Sequence, residues 1–428
     1  MKRFDAPLYN AIKKYASTNP KRFHMPGHKG VGGDVLKSAK YDVTELDFSG
    51  DLLKREGVVY QSEIKFRETY GVDDAFIFTT GATGGLYAAL YAVRRVTDKL
   101  ILSKNTHKSV FNAMSVLGVE PCFIEVTYRD GLPLPVSVDD IKKAILDYPD
   151  AGAVLVTTPD YYGRVCECRE IKDIIGDRLL VADGAHGAHF VFANLSNRAE
   201  RYADIAVLSM HKTLPCYTGS AIVTCKKDLI DDLNRGRILF HTTSPQYLAM
   251  VSMDIARAKL VANNGHGYRK IHKKLQKLNF DKLDNYDYMR LVLKGGKSLD
   301  KALKSKGIYA ECVCGEWVVL ILTPDSIRHL NKVYKIAKKF NSSKSRSQLT
   351  PPILDRTVSF KSVGQASCEK VLISDCVGRV LANEIGLYPP GVPLFFRGEK
   401  ITNECKEFIE LNKNHLFGVD FDYINVLK

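Results

Sequence analysis

Five groups of residues in this 428-residue chain are of types that do chemistry together. One is an amine beside an imidazole, His211-Lys212-Thr213. A second is a carboxylate followed by an imidazole, Asp183-Gly184-Ala185-His186. A third is Asn105-Thr106-His107-Lys108-Ser109, and a fourth is Pro159-Asp160-Tyr161-Tyr162-Gly163. The fifth is the small-residue stretch GATGG (81–85), which opens a helical pattern and so offers free backbone amides and the positive end of a helix dipole to an anion. Each is weak alone. Asp183 and Lys212 by themselves suit a salt bridge or unrelated surface charges, and many α/β turns contain glycine. Their meaning lies in joint occurrence.

The elements that must position them are legible as short apolar runs. DAFIFTT (74–80), LILSK (100–104), PCFIEV (121–126), GAVLVTT (152–158), RLLVAD (178–183), DIAVLSM (204–210) and SAIVTC (220–225) lack strict alternation. That is the pattern of strands buried on both faces of a mostly parallel sheet. Helical segments such as GGLYAALYAVRRV (84–96) lie between them, which makes the fold α/β with crossover helices. In open sheets of this kind, ligands bind beyond the carboxyl ends of the strands. All five groups follow predicted strands, so they are expected at one edge. The set fits pyridoxal 5′-phosphate, which needs a lysine for a Schiff base, an acid for its pyridine nitrogen and an anion site for its phosphate.

The remainder frames this unit. A short helix (Pro7 to Ala16) precedes an irregular stretch, FHMPGHKGVGG (23–33), where Pro and Gly exclude regular structure. A helical segment, QSEIKFRETYG, ends at Gly71. A long helix is expected at 245–262. Beyond it come lysine-rich amphipathic helices, RKIHKKLQKL (269–278) and KVYKIAKKF (332–340), a strand at 316–323, and an exposed linker, NSSKSRS (341–347). The expected division is an N-terminal arm (1–45), a cofactor-binding large domain (46–270) and a smaller C-terminal α+β domain (271–428).

Composition narrows the class. Hydrophobic residues make up 45% and charged residues 26%, as in an ordinary globular protein. No apolar run approaches the roughly 18 residues of a membrane span, and the basic start has no apolar segment of a secretory signal behind it. The ten cysteines make no CxxC pair; Cys166 and Cys168, like Cys312 and Cys314, stand two apart, which is wrong for a zinc knuckle. Reduced thiols in a cytoplasmic protein without a metal site are the expectation. The net charge of +14 lies on helical faces, and no aromatic-basic repeat or zinc finger points to nucleic acid.

Several longer motifs carry a resemblance. SMHKTLPCYTGSAIV (209–223) and ADGAHGAHF (182–190) resemble segments of the Orn/Lys/Arg decarboxylases of PLP fold type I, the aspartate-aminotransferase fold. APLYNAIKKYASTNPKRFHMPGHKG (6–30), YDVTELDFSGDL (41–52), THKSV (106–110), HTTSPQYLAMVSMDIAR (241–257) and YPPGVPLFFRGE (388–399) resemble the family's short forms in the same order, nearly end to end. The resemblance implies decarboxylation of ornithine, lysine or arginine, feeding polyamine synthesis.

It also implies roles. Lys212 would hold the cofactor covalently and Asp183 would bond its pyridine nitrogen. Ala185 would lie under the ring, His186 would reach its phenolic oxygen, and His107 would stack on the opposite face. Ala82 and Thr83 would bind the phosphate, flanked by Ser209 and His211. Thr242, Thr243 and Ser244 would reach a phosphate across a homodimer interface, unless TTSP is only a helix N-cap before Pro245. Glu384 is the expected partner of the substrate's distal cation, with Glu45, Asp47 and Asp51 as alternatives; His24 and His28 are further substrate-site candidates. His189 reads as structural.

The chain departs from the family in three places, one of them a compact C-terminal region. Gly184 stands where the short forms have glutamate, and DLLKREGVVYQSE is altered after the TEL segment. Other readings are an aminotransferase or lyase of the same fold, with Arg379 or Arg397 holding a substrate carboxylate, a non-catalytic relative, and a nucleic-acid binder suggested by charge alone.

Overall fold

The computed structural model describes residues 5–31, 37–340, 351–388 and 391–428. The expected linker at 341–347, the end of the 23–33 stretch, and Pro389 and Pro390 lie outside the described residues. Seven strands form the central sheet: β1 (Asp74–Phe78), β2 (Lys99–Ser103), β3 (Glu120–Ile124), β4 (Ala153–Thr157), β5 (Leu179–Asp183), β6 (Ile205–Ser209) and β7 (Ala221–Cys225). Each matches an expected run to within two residues at either end. Their order is β1-β7-β6-β5-β4-β2-β3.

β7 runs antiparallel to both of its neighbours, and the other pairs are parallel. The cause is chain length. Only the segment 210–220 separates β6 from β7, too short for the crossover of a dozen or more residues that a parallel return needs. The chain therefore turns back on itself, and Met210 N–H donates to the Ser220 carbonyl at 2.9 Å.

The continuous apolar runs are explained by burial on both faces. Val181, Ile205 and Val207 pack into one layer with helices α2 (Gly81–Val96) and α3 (Lys108–Leu117), while Leu180, Ala182 and Ala206 pack into the layer beneath. The Val, Leu and Ile side chains among them each contribute about 1.5–3 kcal/mol by leaving water. Helix α2 comes close because Gly85 has no side chain: a Cβ there would lie 2.7 Å from Val223 Cγ2 and 3.0 Å from Val207 Cγ1. That approach brings the first turn of α2 to the carboxyl edge of β6.

The expected arm is not separate at its start. Helix α1 (Pro7–Ser17) buries Leu8 and Ile12 in the same core as Ala75, Ile77 and Tyr247. Tyr9 N–H donates to Asp254 on helix α4 (Tyr247–Ala262) at 3.1 Å. Helix α5 (His266–Leu278) buries Tyr268, Ile271 and Leu275 and leaves its lysines on the outer face. After it, the chain makes two packed units rather than one. A three-stranded sheet, β8 (Arg290–Lys294), β9 (Cys312–Cys314) and β10 (Trp317–Ile321), has the order β8-β10-β9 and shares the core of the N-terminal helix. Residues 354–426 close a core of their own around Ile385, Phe395 and Ile424.

Gly85→Ala is expected to lower stability by about 1–3 kcal/mol, because the added methyl overpacks a rigid helix–sheet contact. Chemical denaturation checks it; an unchanged midpoint would mean that α2 can move outward freely.

Candidate active site

The carboxyl ends of β1, β2, β4, β5 and β6 open into one cavity of about 930 Å³. Ala82, Thr83, His107, Asp183, Ala185, His186, Ser209, His211 and Lys212 all line it. Nine residues flagged from sequence for the cofactor are thus brought together by the strand order.

Lys212 lies in the single helical turn after β6, with its Nζ 3.3 Å from His186 Nε2. Burial lowers its pKa from 10.5; Asp183 opposes the shift and Arg290 adds to it. Asp183 ends β5, is buried, and accepts a hydrogen bond from the Ala185 N–H at 3.2 Å. Beside it in register stands Thr157, whose Oγ1 is buried without a partner among the described residues.

His186 is held from a distant part of the chain. Arg290, on β8, places Nη2 2.6 Å from His186 Nδ1. A guanidinium only donates, so Nδ1 must accept and the ring proton belongs on Nε2. Burial first, then the charges of Lys212 and Arg290, push His186 well below the usual histidine range. The imidazole is therefore neutral and donates toward the Lys212 amine. Tyr161 closes one side, its ring meeting that of His186 edge-on at 5.4 Å between centroids.

His107 is the N-cap of α3. Its Nδ1 accepts from the Ser109 N–H at 3.2 Å and meets the Ser109 hydroxyl at 2.7 Å. Burial lowers its pKa as well, although Asp183 opposes the shift. The ring is thus a neutral face fixed in place. Ala82 and Thr83 occupy the first turn of α2, where amides have no carbonyl one turn back within the helix. Ser209 Oγ and His211 Nδ1 lie 3.3 Å apart, and the Ser220 carbonyl holds the same Nδ1 at 3.0 Å.

Other sequence candidates stand outside this cavity. Thr242, Thr243 and Ser244 are exposed and do not line it. His24 bonds the Tyr15 hydroxyl at 2.6 Å, and His28 pairs with Asp42 at 3.2 Å. Glu384 is buried, and its two oxygens accept from Arg397 Nε and Nη2 at 2.6 and 2.7 Å. Arg397 is also bonded to Ser115, and Arg379 to Glu369, so neither arginine lines the cavity. His189 is structural, as expected, paired with Asp287 at 2.9 Å with both side chains fully buried.

Gly184 has its own explanation. Alternation along the strand end turns it away from the cavity, and a Cβ there would lie 2.7 Å from Leu208 Cδ2. The space a larger side chain needs is filled by Leu208, and no cavity group is lost by the replacement. Sequence reasoning missed Arg290. It opens an apolar run, RLVLK, and nothing local distinguishes it from a strand-end charge.

A family model described as "Orn/Lys/Arg decarboxylase, major domain" matches residues 6–294, and its C-terminal domain matches 339–415. An arginine decarboxylase of Bacillus subtilis (strain 168) is 28% identical over 463 aligned residues, covering 96% of this chain and 94% of that one. The lysine decarboxylase LdcA of Pseudomonas aeruginosa is 22% identical and covers 59% of this chain and 40% of its own length. Among solved structures, the constitutive lysine decarboxylase of Escherichia coli superposes with a TM-score of 0.80 at 18% identity, covering 99% of this chain and 82% of that one. The chain belongs to the Orn/Lys/Arg decarboxylase family, whose members are pyridoxal-phosphate-dependent amino-acid decarboxylases.

The residues fit that cofactor. A half-buried lysine with a lowered pKa, a buried carboxylate, a Thr157 hydroxyl beside it that has no partner among the described residues, and free amides at a helix start are the groups it requires. A pH dependence follows. A depressed Lys212 pKa leaves more neutral amine near neutrality than an ordinary lysine has. Cofactor uptake by the apoprotein is expected to speed up with rising pH and level off below pH 10.5. Stopped-flow absorbance measures this; a rate still climbing tenfold per pH unit through pH 10.5 would show that Lys212 keeps its charge in the fold.

Proposed function

We propose that this protein decarboxylates a basic amino acid, arginine before lysine or ornithine, to the corresponding amine, in a step that feeds polyamine synthesis. The observation that carries the reading is the convergence of Lys212, Asp183, His186, His107 and the first turn of α2 on one cavity. Arginine comes first because an arginine decarboxylase aligns in sequence with 96% of this chain, whereas the sequence of the lysine decarboxylase LdcA aligns with 59% of it at lower identity.

Each residue has a task. Lys212 would hold the cofactor covalently through its amine. Asp183 keeps a proton on the pyridine nitrogen, which its carboxylate can do only while ionised. The bound cofactor supplies a cationic ring that accepts the electron pair left when CO2 departs. His186, fixed as the Nε2–H tautomer by Arg290, donates to the phenolic oxygen without changing charge. His107 covers one ring face as a neutral imidazole, which adds no competing cation. Ala82 and Thr83 bind the phosphate, and Ser209 and His211 flank it. The walls of the cavity would choose which bond at the α-carbon breaks, by the way they orient the substrate.

The proposed unit is a cytoplasmic homodimer. Thr242, Thr243 and Ser244 are exposed and stand outside their own cavity, as residues that complete a neighbour's site do. His24 and His28 lie on an arm that exposes Phe23 and Met25, and they reach substrate in this reading only in the neighbouring subunit. Glu384 is left as the partner of Arg397. A distal cation on the substrate needs another carboxylate, because an unpaired buried charge is expensive.

Release of CO2 from arginine, lysine, ornithine and norleucine tests the substrate class; equal rates with norleucine would remove the basic-amino-acid reading. Lys212→Ala is expected to lose all turnover, and Asp183→Asn to lose about 10²-fold or more in kcat while retaining cofactor. An Asp183→Asn rate within a few-fold of wild type would take the pyridine nitrogen away from Asp183. Mixing Lys212→Ala chains with Thr243→Ala/Ser244→Ala chains should restore activity in hybrids, and proven hybrids without activity would mean that each site is built from one chain.

A further inference from the structure

The proposed reaction uses neither thiol of Cys312 and Cys314, yet their strand forms part of the cavity wall. Residues two apart on a strand share a face, and the two Sγ atoms of β9 stand 3.5 Å apart. Cys312 is buried in a small cluster with Leu132, Tyr162 and Trp317 that joins the β8-β10-β9 sheet to the loops of the large domain. Cys314 is half-buried and lines the cavity, as do Val313 and Gly315. We propose that Cys312 and Cys314 form a peroxide-sensitive dithiol that closes to a disulfide in the cavity wall and reversibly lowers turnover.

Three features support this. First, the two thiols are unlike. Cys312 keeps its proton, raised by its bond to Cys314 and by burial. Cys314 is drawn down by the same contact, against burial and with help from the Tyr162 hydroxyl. The thiolate is thus the sulfur that faces the cavity, where a small oxidant arrives. Second, closure needs a local bend that brings the two Cβ atoms to about 3.5–4.5 Å, and the backbone here can yield to it. Cα atoms two apart on a strand are separated by about 6.6 Å, at the upper end of the range a disulfide spans, about 4.4–6.8 Å. Among the described residues β9 is an edge strand that pairs only with β10, at Cys312–Val319 and Cys314–Trp317, so one ladder resists the movement instead of two. Third, a bridge at that limit is strained and easily reduced, which suits a reversible device.

The chemistry balances with an organic or hydrogen peroxide as oxidant. The Cys314 thiolate attacks one peroxide oxygen and the O–O bond breaks. The leaving alkoxide or hydroxide takes a proton from solvent, and Cys314 becomes a sulfenic acid. Cys312 then attacks the Cys314 sulfur, the S–O bond breaks, and the hydroxide leaves as water with the Cys312 proton. Two sulfurs lose one electron each and one peroxide is reduced. Closing the sulfurs from 3.5 Å to about 2 Å draws the Val313–Gly315 wall with them. Tyr161, which rests edge-on against His186, is packed against the same cluster.

The test exposes the cofactor-loaded protein briefly to hydrogen peroxide, then alkylates it and analyses the tryptic peptide 307–328, whose only cysteines are Cys312 and Cys314. The peptide is expected to lose two hydrogens and escape alkylation while turnover falls about tenfold to a hundredfold, the effect of moving one wall by an ångström or so. Dithiothreitol should restore both. In Cys312→Ser, no bridge forms and dimedone traps Cys314 instead. The proposal is overturned if both wild-type thiols remain alkylatable after turnover has fallen, or if the bridge forms and turnover is unchanged. It rests on the decarboxylase reading only for that assay. Peptide mapping and the circular dichroism of the bound cofactor report closure and its effect on the site even where no decarboxylation is detected, so the two readings fail separately.

Discussion

Lys212 and His186 can be neighbours at 3.3 Å only if one donates and the other accepts. Two cations there would repel, and two acceptors would leave buried lone pairs unpaired. Arg290 decides between these states. By donating to Nδ1 it makes Nε2 the protonated atom, and the donor on Nε2 selects the uncharged form of Lys212. The same guanidinium adds to the burial that lowers both pKa values. One buried arginine therefore sets the protonation of two residues that the proposed chemistry depends on.

Holding a guanidinium there is expensive. Arg290 is 1% exposed, and its Nε and Nη1 have no partner among the described residues. Its support is electrostatic and comes mainly from Asp287, which is itself anchored by His189 at 2.9 Å and by its own amide on the Gly163 carbonyl at 2.8 Å. Gly163 approaches closely enough that a Cβ would meet Arg290 Cβ at 2.8 Å. His189, read from sequence as a structural residue, is in this sense linked to the reactive lysine through Asp287, Arg290 and His186. The seam between β8 and the ends of β4 and β5 is thus electrostatic as well as apolar. This is why the β8-β10-β9 unit shares a core with the large domain and does not stand apart, as a boundary at 271 implied.

What was legible in the sequence follows from one geometric rule. Parallel strands end on the same edge, so whatever follows each apolar run is brought together, and nine cofactor residues could be named from local patterns. Pairings made across the chain were not legible. Glu384 looked like a free acid before a rigid turn. Strands β11 (Ile385–Leu387) and β12 (Val392–Phe395) fold as an antiparallel hairpin, with Ile385 opposite Phe395, and this sets Glu384 against Arg397. The register that makes this pair is invisible in either segment alone. Arg290 was hidden for the same reason, since its partner lies 104 positions away. Gly184 looked like a missing carboxylate, but it faces Leu208 and not the cavity.

The charges in the cavity carry the argument a step further. Lys104 and Lys297 line it as cations beside the amine of Lys212, while its carboxylates among the described lining residues are Asp183 and Asp160. Asp160 is committed to Arg164, whose Nε is 3.0 Å from Oδ2, and to the amides of Tyr162 and Arg164 on Oδ1. Asp183 belongs to the cofactor in the proposed reading. The cavity of a single chain is therefore built to receive anions, which suits a phosphate and an α-carboxylate. A guanidinium or ammonium at the far end of a substrate has no free acid in it. Recognition of a basic side chain then has to draw on a carboxylate from outside this wall. The exposed Thr242–Ser244 turn and the apolar tip of the N-terminal arm mark surfaces through which a second copy would supply it. In this reading, substrate choice and assembly are one problem, because a lone subunit has the means to hold the cofactor but not to recognise the distal cation.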